Sequence, residues 1–430
     1  MTKAWRHWLG LLVTAGVAAV ALAGCGGDDS DEASGDTKVT GPVSLTVWHT
    51  MNEEETPTLE ALVDRFEKAN PNFDIKLVTV PFAQAQQRFT TAAGAGKGPD
   101  VFRAEVAWTP EFAAQGFLAD ITDRVTDRDE YLEVPFGYNV YEDRVYGIPQ
   151  VTDSLALLYN KRIFRQAGVE PPTTIEELNA VCEKLGDGKG IFLLASLPGF
   201  TLPWIYAYGG DMVDTEAEEV TIDDEPAVQG VQAYTDLFNS DCAFPNDDFA
   251  NELVNMGTAF NSGRVAMIVT GPFATAGILA GEAFKDPANL GIATFPKGPG
   301  GQGTFSGGWN YTISADAENV DAAYQFISEL NSADNQALFA ERNNLLPTRK
   351  LAYELPPVKD NRILSAFGEQ QKLAVSRPVI PEGGQLIAPA GDFATQLQRA
   401  LTGRADVPDA MQALAEAWTK KLLPDYEVGS

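Results

Sequence analysis

Apolar and polar residues follow two different periods along the first part of the chain. Residues 43–48 alternate Val, Leu and Val with polar side chains, which predicts a β-strand. The apolar residues of 59–66 recur with the spacing of one helix face, and Asn70-Pro71 predicts its end. Similar patterns predict strands at 75–80, 101–102, 155–159, 191–194 and 265–270, and helices at 82–93, 321–330, 335–342 and 392–401. Alternating strands and helices predict an α/β body with parallel-rich sheets.

Length and charge narrow the class of protein. The chain has 430 residues, enough for two or three domains, and 44% hydrophobic residues, as expected of a globular protein. Its net charge of −29 argues against nucleic acid as a partner, because phosphate binding requires a basic surface.

The small numbers of histidine and cysteine residues limit which metal sites and catalytic groups the protein can form. His7 lies in the N-terminal leader described below, so His49 is the only histidine available to the folded body. A zinc site of His and Cys is therefore not expected, and Ser-His or Cys-His catalysis would depend on His49 alone. The glycine-rich stretch 298–303 fits GxGxxG, but no helix follows that could receive a pyrophosphate. We expect no metal and no cofactor.

The N-terminus has the pattern of an export signal. Lys3 and Arg6 precede an apolar run at 9–24, which is shorter than the roughly 20 residues of a membrane-spanning helix. The run ends in Leu-Ala-Gly-Cys25, which resembles a bacterial lipobox, so residues 1–24 are predicted to be a signal peptide and Cys25 to carry lipid. The alternative is a plain secretory signal with a chance cysteine.

An acidic, Ser- and Gly-rich segment follows the cysteine. Residues 25–42 hold too few apolar side chains to form a core, so a flexible, lipidated tether is predicted there. The folded body would then work at the extracellular face of the cell membrane, held by its lipid anchor. Loss of the leader removes two positive charges and leaves a net charge of −31.

Two cysteines remain for the folded body. Cys182 lies in a helical pattern opened by Thr174 and Glu177, and Cys242 follows another helical stretch. Because export brings both into an oxidising space, we predict a disulfide between them. The alternative is two buried free thiols.

A series of short motifs carries a resemblance to a known family. In chain order they are Pro99-Asp100-Val101-Phe102, Tyr146-Gly147-Ile148-Pro149, Tyr159-Asn160-Lys161, Thr201-Leu202-Pro203-Trp204, Gly263-Arg264-Val265-Ala266-Met267, Gly271-Pro272-Phe273, Gly307-Gly308-Trp309 and Arg377-Pro378-Val379-Ile380-Pro381. Their order and spacing from about residue 43 to 420 resemble the extracellular solute-binding proteins of ABC importers, of the maltose- and trehalose-binding type.

The resemblance implies an α/β, two-lobed periplasmic-binding-protein-like (type II) fold with a multi-crossing hinge. Lobe 1 would comprise residues 43–150 and 309–347, and lobe 2 residues 151–308 and 348–430. The chain would cross near 148–154, near 304–311 and after 347. Ligand would bind in the cleft between the lobes, a common place for pockets, and the lobes would close around it.

Five tryptophans remain after the leader, and they differ in what their surroundings predict. Trp418 lies on an amphipathic helix face and Trp204 in an apolar stretch, so both are predicted to lie in the core. Trp48 and Trp108 flank strands and fit either core or cleft. Trp309 follows two glycines at a predicted crossing, and the resemblance implies that its ring stacks on a sugar.

The resemblance also implies polar ligand contacts. Glu105 and Asp153 stand where relatives carry an acidic contact, and Phe273 stands where relatives often have tryptophan. Asn52, Gln84 and Arg377 are further candidates, since amides, carboxylates and arginines bind sugar hydroxyls. For each polar residue the alternative is an ordinary solvated side chain or helix cap.

These features together predict a lipoprotein that captures an extracellular sugar and is not an enzyme. An α-glucoside such as maltose, a maltooligosaccharide or trehalose would be delivered to ABC permease subunits, and a monomer is expected. The main alternative is a secreted hydrolase that uses Glu105 and Asp153 as paired carboxylates. A third possibility is an adhesin or structural lipoprotein, which would bind no small ligand.

Overall fold

The computed structural model describes residues 39–389 and 391–429. The predicted signal peptide, Cys25 and the tether up to residue 38 lie outside the described residues. Within the described ranges, none of the helices is both long and apolar enough to cross a membrane.

The strands of the described residues lie in two larger and two small sheets. They are β1 Val43–His49, β2 Phe73–Thr79, β3 Val101–Glu105, β4 Val140–Tyr141, β5 Arg144–Val145, β6 Gly147–Ser154, β7 Ala156–Asn160, β8 Ile191–Phe192, β9 Val213–Asp214, β10 Glu219–Val220, β11 Met267–Thr270, β12 Leu290–Ala293, β13 Thr304–Ile313, β14 Leu346–Pro347, β15 Ala374–Val375 and β16 Glu427–Val428.

Helices cover the faces of these sheets. They are α1 Thr56–Ala69, α2 Phe82–Gly94, α3 Trp108–Ala114, α4 Glu133–Gly137, α5 Lys161–Ala167, α6 Ile175–Leu185, α7 Leu202–Ala207, α8 Glu225–Phe238, α9 Glu252–Asn261, α10 Thr275–Leu279, α11 Val320–Leu330, α12 Ala333–Asn343, α13 Pro356–Lys359, α14 Arg362–Gln371, α15 Gly383–Leu386, α16 Asp392–Leu401 and α17 Val407–Lys421. Asn160 and Thr174 cap α5 and α6 by accepting hydrogen bonds from backbone N–H groups.

The seven-stranded sheet has the order β14-β6-β13-β3-β1-β2, with β15 paired to β13. β1 pairs in parallel with β2 and β3, but β13 is antiparallel to both β3 and β6. The expectation of parallel-rich sheets is therefore wrong. β6 and β13 are where the chain leaves and re-enters this sheet; β13 runs against β3, while β6 runs against β13 and so in the same direction as β3.

The four-stranded sheet has the order β12-β7-β11-β8. β7 is antiparallel to β11 and β12, and only β8 is parallel to β11. Both faces of β7 are covered, since Leu157 belongs to one apolar core and Ala156 and Leu158 to another. Because both faces of this strand are buried, the sequence of residues 155–158 is continuously apolar instead of alternating between apolar and polar residues.

Each larger sheet has its own apolar cores, and between residues 147 and 371 of the described chain the backbone passes between the two sheets three times, before β15 returns to pair with β13. It passes from β6 to β7 at residues 154–156, from β12 back to β13 before residue 304, and away again after β14. This mixed α/β arrangement confirms the two-lobed fold class. The predicted lobe boundary at 308/309 falls inside β13, and the division of residues between lobes stays a prediction.

The two body cysteines lie side by side in the layer around the four-stranded sheet. Cys182 lies on α6 and Cys242 follows α8, and their sulfurs are bonded. Both side chains are buried in the core that also contains Leu178 and Leu237.

Candidate functional site

Glu105, which is partly exposed, and Arg377, which is buried, form an ion pair. Glu105 ends β3, and its Oε1 accepts a hydrogen bond from Arg377 Nη2 at 2.5 Å, while its Oε2 accepts one from Ala107 N–H at 2.8 Å. Burial alone would lower the pKa of Arg377, but the charge of Glu105 and the hydroxyl of Tyr138 raise it above its ordinary value. The guanidinium therefore stays charged, and its Nε has no protein partner among the described residues.

The hydroxyl of Tyr138 forms hydrogen bonds with the backbone of two separate segments next to this pair. Its hydroxyl accepts from Arg377 N–H at 2.8 Å and donates to the carbonyl of Ser306 at 3.0 Å. The Arg377 guanidinium also lies over the rings of Tyr138 and Phe305, at 5.7 and 5.6 Å from their centres. Arg377 is thus held on several sides before any ligand binds.

Asp153 adds a second carboxyl group to this region. It lies on β6 directly opposite Gly307 of β13, where a Cβ atom in place of glycine would collide with its carboxylate. Burial raises the pKa of Asp153 to about 6, while Arg377 lowers it and Glu105 raises it again. The absence of a side chain at Gly307 is therefore what makes room for this carboxyl group.

Trp309 lies in β13, the strand between β3, which carries Glu105, and β6, which carries Asp153. In the sheet register it is opposite Glu105 of β3 and Val151 of β6. The preceding Gly308 has φ of +136°, a conformation that other residues rarely adopt, and a Cβ there would collide with the carbonyl of Val151. Both glycines are thus required where β13 and β6 approach, in agreement with the close approach expected from the Gly-Gly-Trp motif.

An aromatic group surrounds Trp309. Its ring centre lies 5.9 Å from that of Trp108 and 5.7 Å from that of Phe82, both close to perpendicular. The guanidinium carbon of Arg103 lies 4.3 Å from the ring centre and covers one face of the indole. Trp309 is partly exposed, and Arg103 leaves at most one face of the indole for a ligand.

Arg103 is a functional candidate that the sequence analysis missed. It is fully buried, and its Nε donates to Gln150 Oε1 at 2.7 Å, while Nη2 lies 3.9 Å from Glu55 Oε2 without a hydrogen bond. Burial lowers its pKa, and the charge of Glu55 partly offsets this. The sequence did contain one indication of its role. Arg103 and Glu105 are alternate residues of one strand, so their side chains lie on the same face of the sheet.

His49, the sole histidine of the described residues, lies near this arginine. It is buried, and its Nε2 lies 3.3 Å from the hydroxyl of Thr79. Burial, followed by the charge of Arg103, lowers the pKa of His49 to about 4. The ring is therefore neutral at physiological pH and fills a core position at the end of β1.

The other three predicted site residues, Asn52, Gln84 and Phe273, make no direct contact with this group in the part of the chain that the structure describes. Asn52 is exposed and stabilises the turn that precedes α1, since its side-chain oxygen accepts from the backbone N–H groups of Glu54 and Glu55. Gln84 is exposed in the first turn of α2, and Phe273 is 48% exposed after β11. Among the described residues, no hydrogen bond, ion pair or ring contact joins these three to Glu105, Asp153, Trp309 or Arg377.

Trp204 and Trp418 were predicted to lie in the core, whereas Trp48 and Trp108 were left open between core and cleft. Trp204 and Trp418 are buried, at 1% and 0% exposure, in the core of the second sheet's layer. Trp108 is buried and stacks on Phe82, while Trp48 is partly exposed with the guanidinium of Arg88 above its ring.

Comparison with known proteins identifies the family. The sequence profile described as "Bacterial extracellular solute-binding protein" matches residues 52–337. The chain belongs to the bacterial extracellular solute-binding proteins. This confirms the family expected from the motifs between residues 99 and 381.

Three known proteins that resemble this solute-binding protein give it a structural and sequence context. The GacH receptor of Streptomyces glaucescens, solved unliganded and with acarbose, has 39% identity and a TM-score of 0.82, covering 90% of this chain and 100% of its own. The diacetylchitobiose-binding protein DasA of Streptomyces coelicolor is 26% identical, covering 94% of this chain and 97% of its own. A maltotriose-binding protein of Pyrococcus abyssi is 24% identical, and the match covers 80% of this chain and 75% of that protein.

These relatives are binding proteins rather than enzymes, and so is this solute-binding protein. The hydrolase alternative built on Glu105 and Asp153 is therefore set aside. The geometry agrees, since Glu105 is occupied by Arg377 and the Ala107 N–H. Among the described residues, no three His, Cys, Asp or Glu side chains are grouped to hold a metal ion.

A small cavity adjoins the ion pair of the solute-binding protein. It has a volume of about 200 Å³ and is lined by Asp211, Val213, Thr215, Ser376, Arg377, Pro378 and Val379. Burial raises the pKa of Asp211 to about 6. A larger concavity of about 1270 Å³ lies away from the site, between α6 and α8 next to the disulfide, and is lined by polar and apolar surface in nearly equal amounts.

Proposed function

We propose that this protein captures an extracellular α-linked glucoside for an ABC importer. The observation that supports this most directly is that Trp309, the Arg377–Glu105 pair and Asp153 lie together where the chain passes between the two sheets. An aromatic ring contacts the apolar face of a sugar, and carboxylate and guanidinium groups bind its hydroxyls. A neutral sugar with both kinds of surface matches this set.

The relatives support a sugar as the ligand class. GacH was solved with acarbose, DasA is described as binding diacetylchitobiose, and the Pyrococcus protein as binding maltotriose. Maltose, maltooligosaccharides and trehalose are the candidates for this chain. The ligand contacts proposed are Glu105, Asp153, Trp309 and Arg377, with Phe273, Asn52 and Gln84 contributing from the cleft edges if the lobes close.

We propose that the protein acts at the extracellular face of the membrane. Cys25 would carry lipid, residues 25–42 would act as a tether, and the body would work as a monomer that hands sugar to permease subunits. Labelling with a radioactive fatty acid tests the anchor: Cys25→Ser should abolish the label and release the protein. Surface retention of an unlabelled Cys25→Ser protein would contradict the anchor while leaving sugar binding open.

Thermal unfolding with a sugar panel tests the function. A ligand that binds only the folded state, at 100 times its dissociation constant, adds about 2.7 kcal/mol of stability. We expect stabilisation by at least one of maltose, maltotriose, maltotetraose and trehalose, with no glucose released on long incubation. Released glucose would instead favour a hydrolase, and the absence of stabilisation by any sugar would favour an adhesin.

Lobe closure can be measured independently of affinity. Contacts from both lobes would make the closed form bind ligand better than the open form, so the ligand shifts the population towards closure. We expect a smaller radius of gyration in solution scattering with the sugar that stabilises the protein. A scattering profile that does not change with a bound sugar would contradict a site between the lobes.

A further inference from the structure

Gln150 is an extra residue in β6 and forms a β-bulge beside Trp309. In the register of the two strands, Trp309 of β13 is opposite Val151 of β6. The next residue of β13, Asn310, is opposite Pro149, so Gln150 has no opposite residue. One unpaired residue in an antiparallel pair of strands changes the direction of the side chains around it. Gln150 is only 4% exposed, so its amide lies in the protein interior.

This bulge determines on which face of the sheet Asp153 lies. Opposite residues of neighbouring strands share a face, and so do alternate residues of one strand. Asp153 is opposite Gly307, two positions before Trp309, so these residues share one face. Glu105 is opposite Trp309 on the other side and shares this face as well. Without the extra residue, the register after the bulge would move by one position, and Asp153 would be opposite Ser306 on the other face.

Arg103 holds the bulge from β3. Its side chain reaches across β13, and its Nε donates to Gln150 Oε1 at 2.7 Å. Its guanidinium carbon also lies 4.3 Å from the ring centre of Trp309. Both Arg103 and Gln150 are buried, and a buried polar group without a hydrogen bond costs free energy. The hydrogen bond therefore favours the bulge over the regular register.

The positive charge of Arg103 has no hydrogen-bonded carboxylate among the described residues. Its Nη2 lies 3.9 Å from Glu55 Oε2 without a hydrogen bond, and its Nη1 donates to Thr50 Oγ1 at 3.4 Å. A contact between a cation and an indole is stronger when both are removed from water. The contact with Arg103 therefore helps to set the plane of the Trp309 ring.

We propose that Arg103 and Gln150 are positioning residues of the sugar site. Through the bulge they place Asp153 on the same face as Glu105, and through the guanidinium they fix the plane of Trp309. Neither residue contacts the sugar, since Gln150 Oε1 is occupied by Arg103 and the guanidinium covers the indole face that a ligand does not use. This inference rests on the proposed function. Sugar affinity should depend on this buried hydrogen bond.

Isothermal titration of the mature chain with maltose, maltotriose and trehalose measures this dependence. Gln150→Met removes the acceptor, and Arg103→Met removes the donor and the charge. We expect each to weaken binding of the tightest-bound of these sugars by about tenfold or more, because the site residues lose their support. Gln150→Glu keeps an acceptor oxygen for Arg103 and should stay within about threefold of the wild-type affinity.

Arg264→Met is the control for loss of an arginine next to an aromatic ring. Arg264 precedes β11 of the four-stranded sheet, and its guanidinium carbon lies 5.4 Å from the ring centre of Phe244. We expect this variant to bind sugar as the wild-type protein does. A loss equal to that of Arg103→Met would overturn the specific role of Arg103.

Tryptophan fluorescence separates positioning from a general loss of stability. The emission of Trp309 is the difference between each protein and its Trp309→Phe counterpart, measured under conditions in which both are folded. We expect this difference to change in Gln150→Met and in Arg103→Met, and to match the wild type in Gln150→Glu. A residue with only a structural role would change stability but neither this emission nor the affinity of the folded protein.

The double variant of Arg103→Met and Gln150→Met tests whether the two residues act as one unit. Since both changes remove the same hydrogen bond, the double variant should bind sugar no more weakly than Arg103→Met alone. Losses that add would overturn the inference, as would unchanged affinity in Gln150→Met. If Arg103→Met does not fold, Gln150→Met decides by itself, because it keeps the charge. These outcomes leave the proposed function intact, whereas a wild-type protein that binds none of the three sugars would overturn both.

Discussion

The guanidinium of Arg377 meets the carboxylate of Glu105 at 2.5 Å, although 272 positions separate them in the chain. Glu105 ends a strand of the seven-stranded sheet, while Arg377 follows β15 on the final passage of the chain. Their side chains are 19% and 6% exposed, so water screens the pair only weakly. This contact ties the C-terminal part of the chain to β3 at the place where a ligand would bind.

Replacing Arg377 by Met should weaken both folding and binding. Glu105 would remain without its cation, and we expect the free energy of unfolding to fall by about 2 kcal/mol, less than for a fully buried carboxylate because Glu105 is partly exposed. Urea unfolding and sugar titration measure the two effects.

Lys421→Met is the control for this loss of an ion pair. Lys421 pairs with Asp392 at 2.7 Å on the surface, and we expect its loss to change stability by less than about 0.5 kcal/mol. Similar losses in the two variants would show that burial of the Arg377 pair has no special role.

Asp153 should make stability depend on pH in the acidic range. Its pKa is raised from 3.8 to about 6 in the folded protein, so the native state binds its proton more tightly than the unfolded chain. The stability associated with this proton is fully present below pH 4 and is lost as pH rises through about 6.

Asp153→Asn, which removes the titrating group, isolates this effect. We expect the stability of the variant relative to wild type to increase by about 2 kcal/mol between pH 4 and pH 7, measured by urea unfolding. His49 and Asp211 also titrate in this range, but they are present in both proteins. A constant difference across this range would contradict the raised pKa of Asp153.

Trp309→Ala and Trp418→Ala should separate binding from stability. Trp309 is partly exposed at the site, and its loss should weaken sugar binding by about 2 kcal/mol, roughly thirtyfold. Trp418 is fully buried against Phe393, so its loss should cost about 3 to 5 kcal/mol of stability and leave the affinity of the folded protein unchanged. The reverse pattern would mean that the site lies elsewhere.

The Cys182–Cys242 bond should stabilise the body without affecting the site. The cysteines are 60 positions apart, and in the chain-entropy model a loop of that length contributes about 4 kcal/mol. The double variant Cys182→Ser with Cys242→Ser should lose up to this amount in urea unfolding and keep its sugar affinity. Peptide mass analysis that finds both cysteines alkylated in the native, unreduced protein would contradict the bond.

Local patterns predicted many of the elements. The alternation of residues 43–48 corresponds to β1 at Val43–His49, and the helical spacing of residues 59–66 to α1 at Thr56–Ala69. These predictions succeeded because side-chain period depends on neighbouring residues alone. β6 and β13 were not predicted as strands, because glycine and proline in their sequences weaken the strand pattern.

The candidate site was predicted in part. The family resemblance named Glu105, Asp153, Trp309 and Arg377, which the structure brings into one region, but nothing in the sequence indicated that Glu105 and Arg377 form a pair. Arg103 and Phe82 were missed. A buried arginine is unusual, and burial of Arg103 depends on Gln150, Glu55 and Trp309, which come from three other segments.

The sequence by itself determined the family, the alternation of elements, the burial of Trp204 and Trp418, and the limited role open to histidine. Each of these depends on local period, residue counts or short motifs. Only the tertiary structure decided that Arg377 neutralises Glu105, that Asp153 faces Gly307, and that Phe82 and Trp309 stand nearly perpendicular. These relationships depend on strand register and on contacts between distant segments, and many packings are compatible with the same local pattern until the whole chain is folded.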